Sequence, residues 1–92
     1  MVVKETFGAW IKRIRKERGL SSGRVCLRAA VSSMTLFGIE RDKTYPAAVQ
    51  AKTLYGLAVT LDIDPAELLK RAAETDGFLK KWWSNPKRGE WR

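Results

Sequence analysis

Helix-capping residues divide this chain into short segments, and apolar residues at helical spacing follow each cap. Thr6 is the predicted cap of the first segment, and Gly19 offers the left-handed stop that ends it. The first helix is therefore predicted over residues 6–18. Its inward face consists of apolar residues three to four positions apart, namely Phe7, Ile11 and Ile14.

Two more short helices are predicted next, separated by a tight break at residues 30–31. Ser21 or Ser22 caps the second helix, and Ser32 caps the third, which runs to about residue 41. The residues of this pair that are expected to face the core are Val25, Cys26, Ala29, Leu36 and Ile39.

A fourth helix is predicted over residues 47–61, after a polar connection. The run Asp64-Pro65-Ala66-Glu67 then predicts the start of a fifth helix, because Asp caps, Pro fits the first helical position and Glu fits the third. This helix is predicted to reach about residue 73. Five short helices with brief connections and no strand pattern predict an all-α bundle. The expected inward residues of the fourth helix are Val49, Leu54, Leu57, Ala58 and Leu61, and the fifth helix carries Leu68 and Leu69.

The residue types on which most enzymes and metal sites depend are scarce. The chain has no histidine, and its single cysteine, Cys26, cannot form an intrachain disulfide or a cysteine-rich metal site. No catalytic triad, phosphate loop or metal-ligand spacing occurs, and capping accounts for Asp64 and Glu67. We therefore expect no enzyme activity, no cofactor or metal and no small-molecule substrate, with Cys26 as a small core residue.

The chain is strongly basic, with 18 Lys and Arg against 10 Asp and Glu and a formal charge of +8. Most of the excess lies in residues 1–46, which hold ten basic and four acidic residues. Such a surface attracts polyanions, and nucleic acid is favoured over the alternatives, membranes and acidic proteins. No apolar run is long enough to span a membrane, and the N-terminus lacks the pattern of a secretory signal. We expect a cytoplasmic protein without a membrane partner.

Residues 22–41 carry the pattern of a helix-turn-helix, in which the second of two helices is offered to the major groove of DNA. Val31 is expected to fill the space under the turn, while Leu36 and Ile39 hold the second helix against the core. Together with its flanking residues, the pattern resembles the lambda-repressor/Cro-like family, also called the Xre family. The matching stretches are Phe7-Gly8, Ile11, Ile14-Arg15, Gly19-Leu20-Ser21, Val31-Ser32, Ile39-Glu40-Arg41, Leu57-Ala58, Leu61 and Asp64-Pro65-Ala66-Glu67-Leu68.

The resemblance implies a five-helix DNA-binding domain with a buried ion pair between Arg15 and Glu40, which fixes the position of the third helix. Three residues depart from the family pattern. Ser22 stands where the family usually has glutamine, and Ala30 and Asp42 stand where it usually has glycine. If position 30 needs a left-handed conformation, alanine there costs on the order of 1–2 kcal/mol. The stretch 46–57 is also longer than the common pattern, so the fourth helix is expected to begin differently.

Helical periodicity and the resemblance together predict which residues face DNA. The predicted base-reading residues are Ser32, Ser33, Met34, Phe37 and Gly38. The predicted phosphate-contacting residues are Ser21, Ser22, Arg41 and Lys43. This surface lacks the Gln and Asn side chains that make bidentate base contacts, but it offers serine hydroxyls and apolar groups for thymine methyls.

The leading interpretation is a dimeric transcriptional regulator that binds specific double-stranded DNA. The resemblance implies a repressor of the phage, plasmid or restriction-control kind. The alternative is a helix-turn-helix module repurposed as a protein-interaction adaptor with weak or no specific DNA binding, whose outward Met34 and Phe37 bind another protein. A third possibility is that Phe37 simply packs against the second helix or the 42–46 loop.

Residues 75–92 form an aromatic, basic extension to the helical domain, which is predicted over residues 1–74. Trp82, Trp83 and Trp91 are too much aromatic surface to leave in water. They either pack on helices 1 and 5, together with Trp10, or bury against a second subunit. Stacking on single-stranded nucleic acid is a third option. A homodimer through helix 5 and this Trp-rich tail is the favoured arrangement.

Overall fold

The computed structural model describes residues 5–75, and every regular element within that range is helical. The predicted all-α, five-helix fold is confirmed. None of the described helices has the length and hydropathy needed to cross a bilayer. The Trp-rich tail lies outside the described residues, and the domain boundary proposed between residues 74 and 75 stays a prediction. The helices are α1 (Phe7–Glu17), α2 (Ser22–Ala29), α3 (Ser33–Glu40), α4 (Ala51–Thr60) and α5 (Pro65–Thr75), with a 3₁₀ turn at Pro46–Ala48.

Side-chain caps begin four of these helices, as the sequence predicts. Each capping oxygen accepts a hydrogen bond from a backbone amide of the first turn, which has no partner inside the helix. At α2 the cap is Ser21, whereas Ser22 is the first helical residue. The pairs are Thr6 with Ala9 at 3.1 Å, Ser21 with Arg24 at 3.2 Å, Ser32 with Thr35 at 3.1 Å and Asp64 with Ala66 at 3.0 Å.

The fourth helix begins later than predicted, because the chain leaves helical geometry between Pro46 and Ala51. After the 3₁₀ turn, Val49 and Gln50 have extended backbone angles, with ψ of 138° and 143°. No side chain caps α4, which begins directly after Gln50. The predicted range 47–61 is therefore wrong at its start, whereas Val49 still packs against the core.

The core is formed by apolar residues from all five helices. Trp10, which sequence reasoning linked to the tail, is only 5% exposed and lies 5.8 Å from the ring centroid of Phe7. The guanidinium of Arg71 lies 4.4 Å from the centroid of the Trp10 ring, so α5 covers this part of α1. Of the two leucines that α5 carries, Leu68 is buried and Leu69 is 55% exposed. The buried apolar residues are Phe7, Trp10, Ile11, Val25, Ala29, Leu36, Ile39, Leu54, Leu57, Ala58, Leu61, Leu68 and Ala72.

Two glycines allow helices to approach closely. A Cβ at Gly8 would collide with the carbonyl oxygens of Ile39 and Glu40, where α1 packs against the end of α3. A Cβ at Gly56 would lie 2.8 Å from the carbonyl oxygen of Ala29, where α4 packs against α2. Gly56 weakens α4 by about 1 kcal/mol relative to alanine, and this contact explains why glycine stands there.

Candidate nucleic-acid interface

The turn between α2 and α3 is made by a left-handed residue. Ala30 has φ 57° and ψ 45°, and both its amide and that of Val31 donate to the carbonyl of Cys26. These bonds close α2 and redirect the chain within three residues, so that Ser32 begins the next helix. Cys26 is half-buried and packs against the core. Position 30 does adopt the left-handed conformation for which the sequence analysis gives alanine a cost, and α2 and α3 form the expected helix-turn-helix.

An ion pair holds α3 against α1. The Nε atom of Arg15 lies 2.7 Å from Oε2 of Glu40, and its Nη2 atom lies 3.1 Å from Oε1. The two side chains are only 12% and 10% exposed. Arg15 also donates to the carbonyl oxygen of Leu20 at 3.0 Å, so one guanidinium joins three parts of the fold. The ion pair that the resemblance implies is therefore present.

A second connection between α3 and α1 runs through Asp42, and sequence reasoning missed it. Asp42 is left-handed, with φ 57°. Its Oδ1 atom accepts a hydrogen bond from the amide of Gly8 at 2.9 Å, and its Oδ2 atom accepts one from the hydroxyl of Thr6 at 2.7 Å. The carboxylate thus caps the start of α1, where the helix dipole favours negative charge. The only sequence signal was an acidic residue where the family has glycine.

The outer face of α3 is apolar, and it ends in a positive charge. Met34 is 84% exposed and Phe37 is 50% exposed, and Ser33 is exposed beside them. The guanidinium of Arg41 lies 4.0 Å from the centroid of the Phe37 ring, within the range of a cation–π interaction. Phe37 does not belong to the buried core. We call Ser33, Met34, Phe37 and Arg41 the α3 outer face.

Gly38 does not lie on this open face, and the prediction that it points outward is wrong. It is buried, because the chain after α3 folds back over it. The amides of Lys43 and Thr44 both donate to the Gly38 carbonyl, at 2.9 and 3.3 Å. A Cβ at position 38 would lie 2.7 Å from the Thr44 hydroxyl, which occupies the space that a side chain would need. The helical periodicity of α3 could not predict this burial, because the residues that cover Gly38 belong to the loop after the helix.

The serine hydroxyls predicted to contact DNA differ in availability. The Ser32 hydroxyl accepts the Thr35 amide and lies 2.7 Å from the Thr35 hydroxyl, so it serves mainly as a cap. Ser21 is likewise a cap, while Ser22 and Ser33 are exposed without a side-chain hydrogen bond to any other described residue. The predicted phosphate-contacting residues Ser21, Ser22, Arg41 and Lys43 are all exposed.

The arginines of α1 and of its C-terminal cap have structural partners, which the basic pattern alone did not reveal. Arg13 binds Glu5 at 2.7 Å and Glu17 at 2.9 Å. The hydrogen bond from Arg13 lowers the pKa of the Glu5 carboxyl, and the bond to Glu5 raises the pKa of Arg13. Arg18 donates to the carbonyl oxygens of Leu61 and Asp62 and so closes the end of α4. Lysines 12 and 16 remain exposed on this helix.

The acidic residues at the start of α5 also have structural roles. Asp64 caps the helix, and the Oε1 atom of Glu67 lies 3.3 Å from Nε of Arg71 one turn later. Across residues 5–75, no three Cys, Asp or Glu side chains are grouped as a metal site would require. The described surface around α3 combines an apolar helix face with cations at its edge.

Comparison with known sequences finds a relative among the transcriptional regulators. The uncharacterized HTH-type transcriptional regulator y4dJ of Sinorhizobium fredii is 32% identical to this chain over 75 residues. The match covers 82% of this chain and 94% of the relative. No protein-family model matches the chain.

Comparison with solved structures points to the same fold. SinR, the master regulator for biofilm formation, matches in its crystal structure in complex with DNA with a TM-score of 0.61 and 30% identity, over 70% of this chain and 98% of that one. The SinR protein in a SinR–SinI complex matches with a TM-score of 0.62 and 26% identity, over 92% and 88% of the two chains. The helix-turn-helix, the Arg15–Glu40 pair and these relatives together show that the chain belongs to the helix-turn-helix transcriptional regulators of the lambda-repressor/Xre type.

Proposed function

We propose that this protein is a transcriptional regulator that binds specific double-stranded DNA by placing α3 in the major groove. The observation that carries the proposal is the α3 outer face. The inner side of α3 is held against α1 through Arg15 and Glu40, while Met34 and Phe37 on the opposite side of the helix are 84% and 50% exposed. A helix that is held rigidly from behind and free in front has the form that groove binding requires.

Cations and helix termini around α3 support contacts with phosphates. Arg41 and Lys43 follow the end of α3 and are exposed. The N-terminus of α2 at Ser21 and Ser22 presents backbone amides, which bind phosphate readily. The formal charge of +8 adds a long-range attraction to DNA. These residues would fix the register of the protein on the duplex, whereas α3 would supply the sequence preference.

We further propose that the protein acts as a homodimeric repressor without enzymatic activity. Leu69 on α5 is 55% exposed, which is consistent with an interface there that the Trp-rich tail would extend. A symmetric dimer would place two copies of α3 about 34 Å apart, on successive turns of one face of the duplex. Sedimentation at high protein concentration tests this point, and a purely monomeric result would reject the dimer.

A protein-interaction adaptor is the second candidate, and the apolar character of Met34 and Phe37 favours it. Exposed apolar groups mark protein interfaces as well as DNA-reading surfaces. SinR, a structural neighbour, occurs in one structure with DNA and in another with the SinI protein. We favour DNA for this chain because Arg41 stacks on Phe37 and places a cation beside the apolar groups.

The dependence of duplex binding on salt separates the two candidates. If the protein contacts several phosphates, the logarithm of its affinity falls linearly with the logarithm of salt concentration, with a slope of about −0.9 for each phosphate. For random-sequence duplex DNA we expect a slope that corresponds to several phosphate contacts. An adaptor that binds its partner protein through Met34 and Phe37 would have an affinity for duplex DNA that hardly changes with salt concentration. Alternatively, it would not bind duplex DNA even at low salt.

Two variants calibrate this measurement. Replacing Lys43 with glutamine should reduce the slope by about one phosphate contact and weaken binding to all sequences alike. Replacing Lys70 with glutamine is the matched control, because Lys70 is an exposed lysine on α5 whose Nζ atom lies 4.0 Å from Glu74. Equal slopes for the two variants would show that the phosphate contacts lie elsewhere than at the end of α3.

A further inference from the structure

We infer that the α3 outer face recognises the 5-methyl groups of thymine through Met34 and Phe37. This inference rests on the proposed function and adds the chemical feature of DNA that the site selects. It predicts a target with thymines facing these two side chains, rather than one selected through guanine or adenine hydrogen bonds.

The hydrogen-bonding capacity of α3 toward bases is small. The Ser32 hydroxyl is occupied by Thr35, at 2.7 Å from its side chain and 3.1 Å from its amide. Position 38, one turn beyond Met34, carries no side chain and is covered by Thr44. Bidentate recognition of adenine needs an Asn or Gln side chain, and α3 contains neither. Paired hydrogen bonds to bases are therefore unavailable along α3 itself, and Arg41, just after its end, is the one side chain of the outer face that has the donors for them.

The α3 outer face instead offers apolar contacts. Met34 is 84% exposed and projects an unbranched thioether, and Phe37 presents half of its surface. In the major groove, thymine is the base that displays a methyl group, and apolar side chains discriminate it by contact. Burying one methyl group is worth about 0.8 kcal/mol, which corresponds to about a fourfold change in affinity.

The position of Arg41 favours DNA over a protein as the occupant of this face. Its guanidinium lies 4.0 Å from the centre of the Phe37 ring. Within the described range Arg41 has no carboxylate partner, so its charge remains to attract an anion. A thymine methyl would contact the apolar groups of Met34 and Phe37. A nearby phosphate would pair with the charge of Arg41. An apolar protein surface would leave the cation without a counter-ion.

Substitution of deoxyuridine for thymine tests the inference, because it removes the 5-methyl group and leaves base pairing unchanged. Full-length protein first selects its preferred duplex from random sequence, and each thymine of that duplex is then replaced in turn. We expect about a fourfold loss of affinity at one or more positions. Met34→Ala or Phe37→Ala protein should bind the thymine and deoxyuridine duplexes equally well at the position that its side chain contacts.

Val59→Ala is the matched protein control. Val59 is 62% exposed on α4, so its truncation removes an apolar group away from α3, and the thymine preference should persist. Because Met34 is 84% exposed, we expect the Met34→Ala protein to fold normally. The test therefore stays valid even if the Phe37→Ala protein unfolds. If the selected duplex binds with unchanged affinity after every replacement, the inference is overturned while the proposed function stands. If no duplex binds at low salt, the proposed function fails as well.

Discussion

Arg15 on α1 and Glu40 on α3 meet in a two-point ion pair, with Nε to Oε2 at 2.7 Å and Nη2 to Oε1 at 3.1 Å. Both side chains are about nine-tenths buried, at 12% and 10% exposure. A buried pair of this kind contributes little net stability compared with apolar residues, but the loss of one partner leaves the other charge uncompensated. The pair therefore acts mainly to fix where α3 lies.

Replacing Glu40 with alanine should destabilise the fold by about 3 kcal/mol, because it leaves the Arg15 guanidinium buried without its carboxylate. The remaining bond from Arg15 to the Leu20 carbonyl keeps the loss at the lower end of the range for buried pairs. Urea unfolding followed by circular dichroism measures this change.

Glu17→Ala provides the control for that experiment. It removes a carboxylate that also binds an arginine at 2.9 Å, but that pair is exposed to solvent. Exposed pairs contribute little. We expect its unfolding midpoint to stay close to that of the native protein. Similar midpoints for the Glu40 and Glu17 variants would contradict the role assigned to the buried pair.

Gly8 and Gly23 offer a second matched comparison. A Cβ at Gly8 would lie 2.7 Å from both the Glu40 carbonyl oxygen and Oδ1 of Asp42, whereas a Cβ at Gly23 would meet nothing within 4 Å. Gly8→Ala should therefore destabilise the protein by about 1–3 kcal/mol through overpacking. Gly23→Ala should stabilise it by about 0.5–1 kcal/mol through better helix propensity. Thermal unfolding reports both changes, and a Gly8→Ala protein that is as stable as the native protein or more stable would refute the close approach at Gly8.

The left-handed turn predicts that a glycine will improve the fold. Ala30 has φ 57°, which costs on the order of 1–2 kcal/mol for alanine. Ala30→Gly should therefore raise stability by about 0.5–1 kcal/mol, after the greater flexibility of glycine in the unfolded chain is subtracted. In contrast, Ala9→Gly, at an exposed position of α1, should lower stability by about 1 kcal/mol. Destabilisation by Ala30→Gly, measured in urea, would argue against the left-handed conformation.

Asp42 shares this conformation but should respond differently. Asp42→Gly also relieves a φ of 57°, yet it removes the carboxylate that accepts bonds from Gly8 and Thr6. We expect it to be less stable than Ala30→Gly in the same unfolding measurement, because the lost cap offsets the relieved strain. Equal gains from the two substitutions would show that these hydrogen bonds contribute nothing.

Local signals in the sequence were sufficient for the starts of the helices that a side chain caps. The caps at Thr6, Ser21 and Ser32 could be predicted, because capping depends only on the cap and the next three residues. The left-handed Ala30 and the Arg15–Glu40 pair followed from the family pattern, which encodes one shared packing arrangement. The caps are predictable because they require no knowledge of where distant segments lie, whereas the ion pair between two helices was predictable only from the family resemblance.

The features that could not be predicted depend on tertiary contacts. Gly38 is buried by Thr44, which approaches only because the loop folds back along α3. Arg18 looks like part of a solvated basic face, but it reaches the end of α4, more than 40 residues away in sequence. The delayed start of α4 reflects extended angles at Val49 and Gln50 that no cap or breaker in that stretch specifies.

The central claim is that the α3 outer face reads DNA. Selection of bound fragments from random duplex DNA tests it most directly, using the native protein and a variant with Ser33, Met34 and Phe37 replaced by alanine. The account predicts a defined, pseudo-palindromic sequence for the native protein and loss of that preference in the variant, with residual salt-dependent binding retained. Recovery of the same sequence by both proteins would show that the reading surface lies elsewhere and would contradict the account.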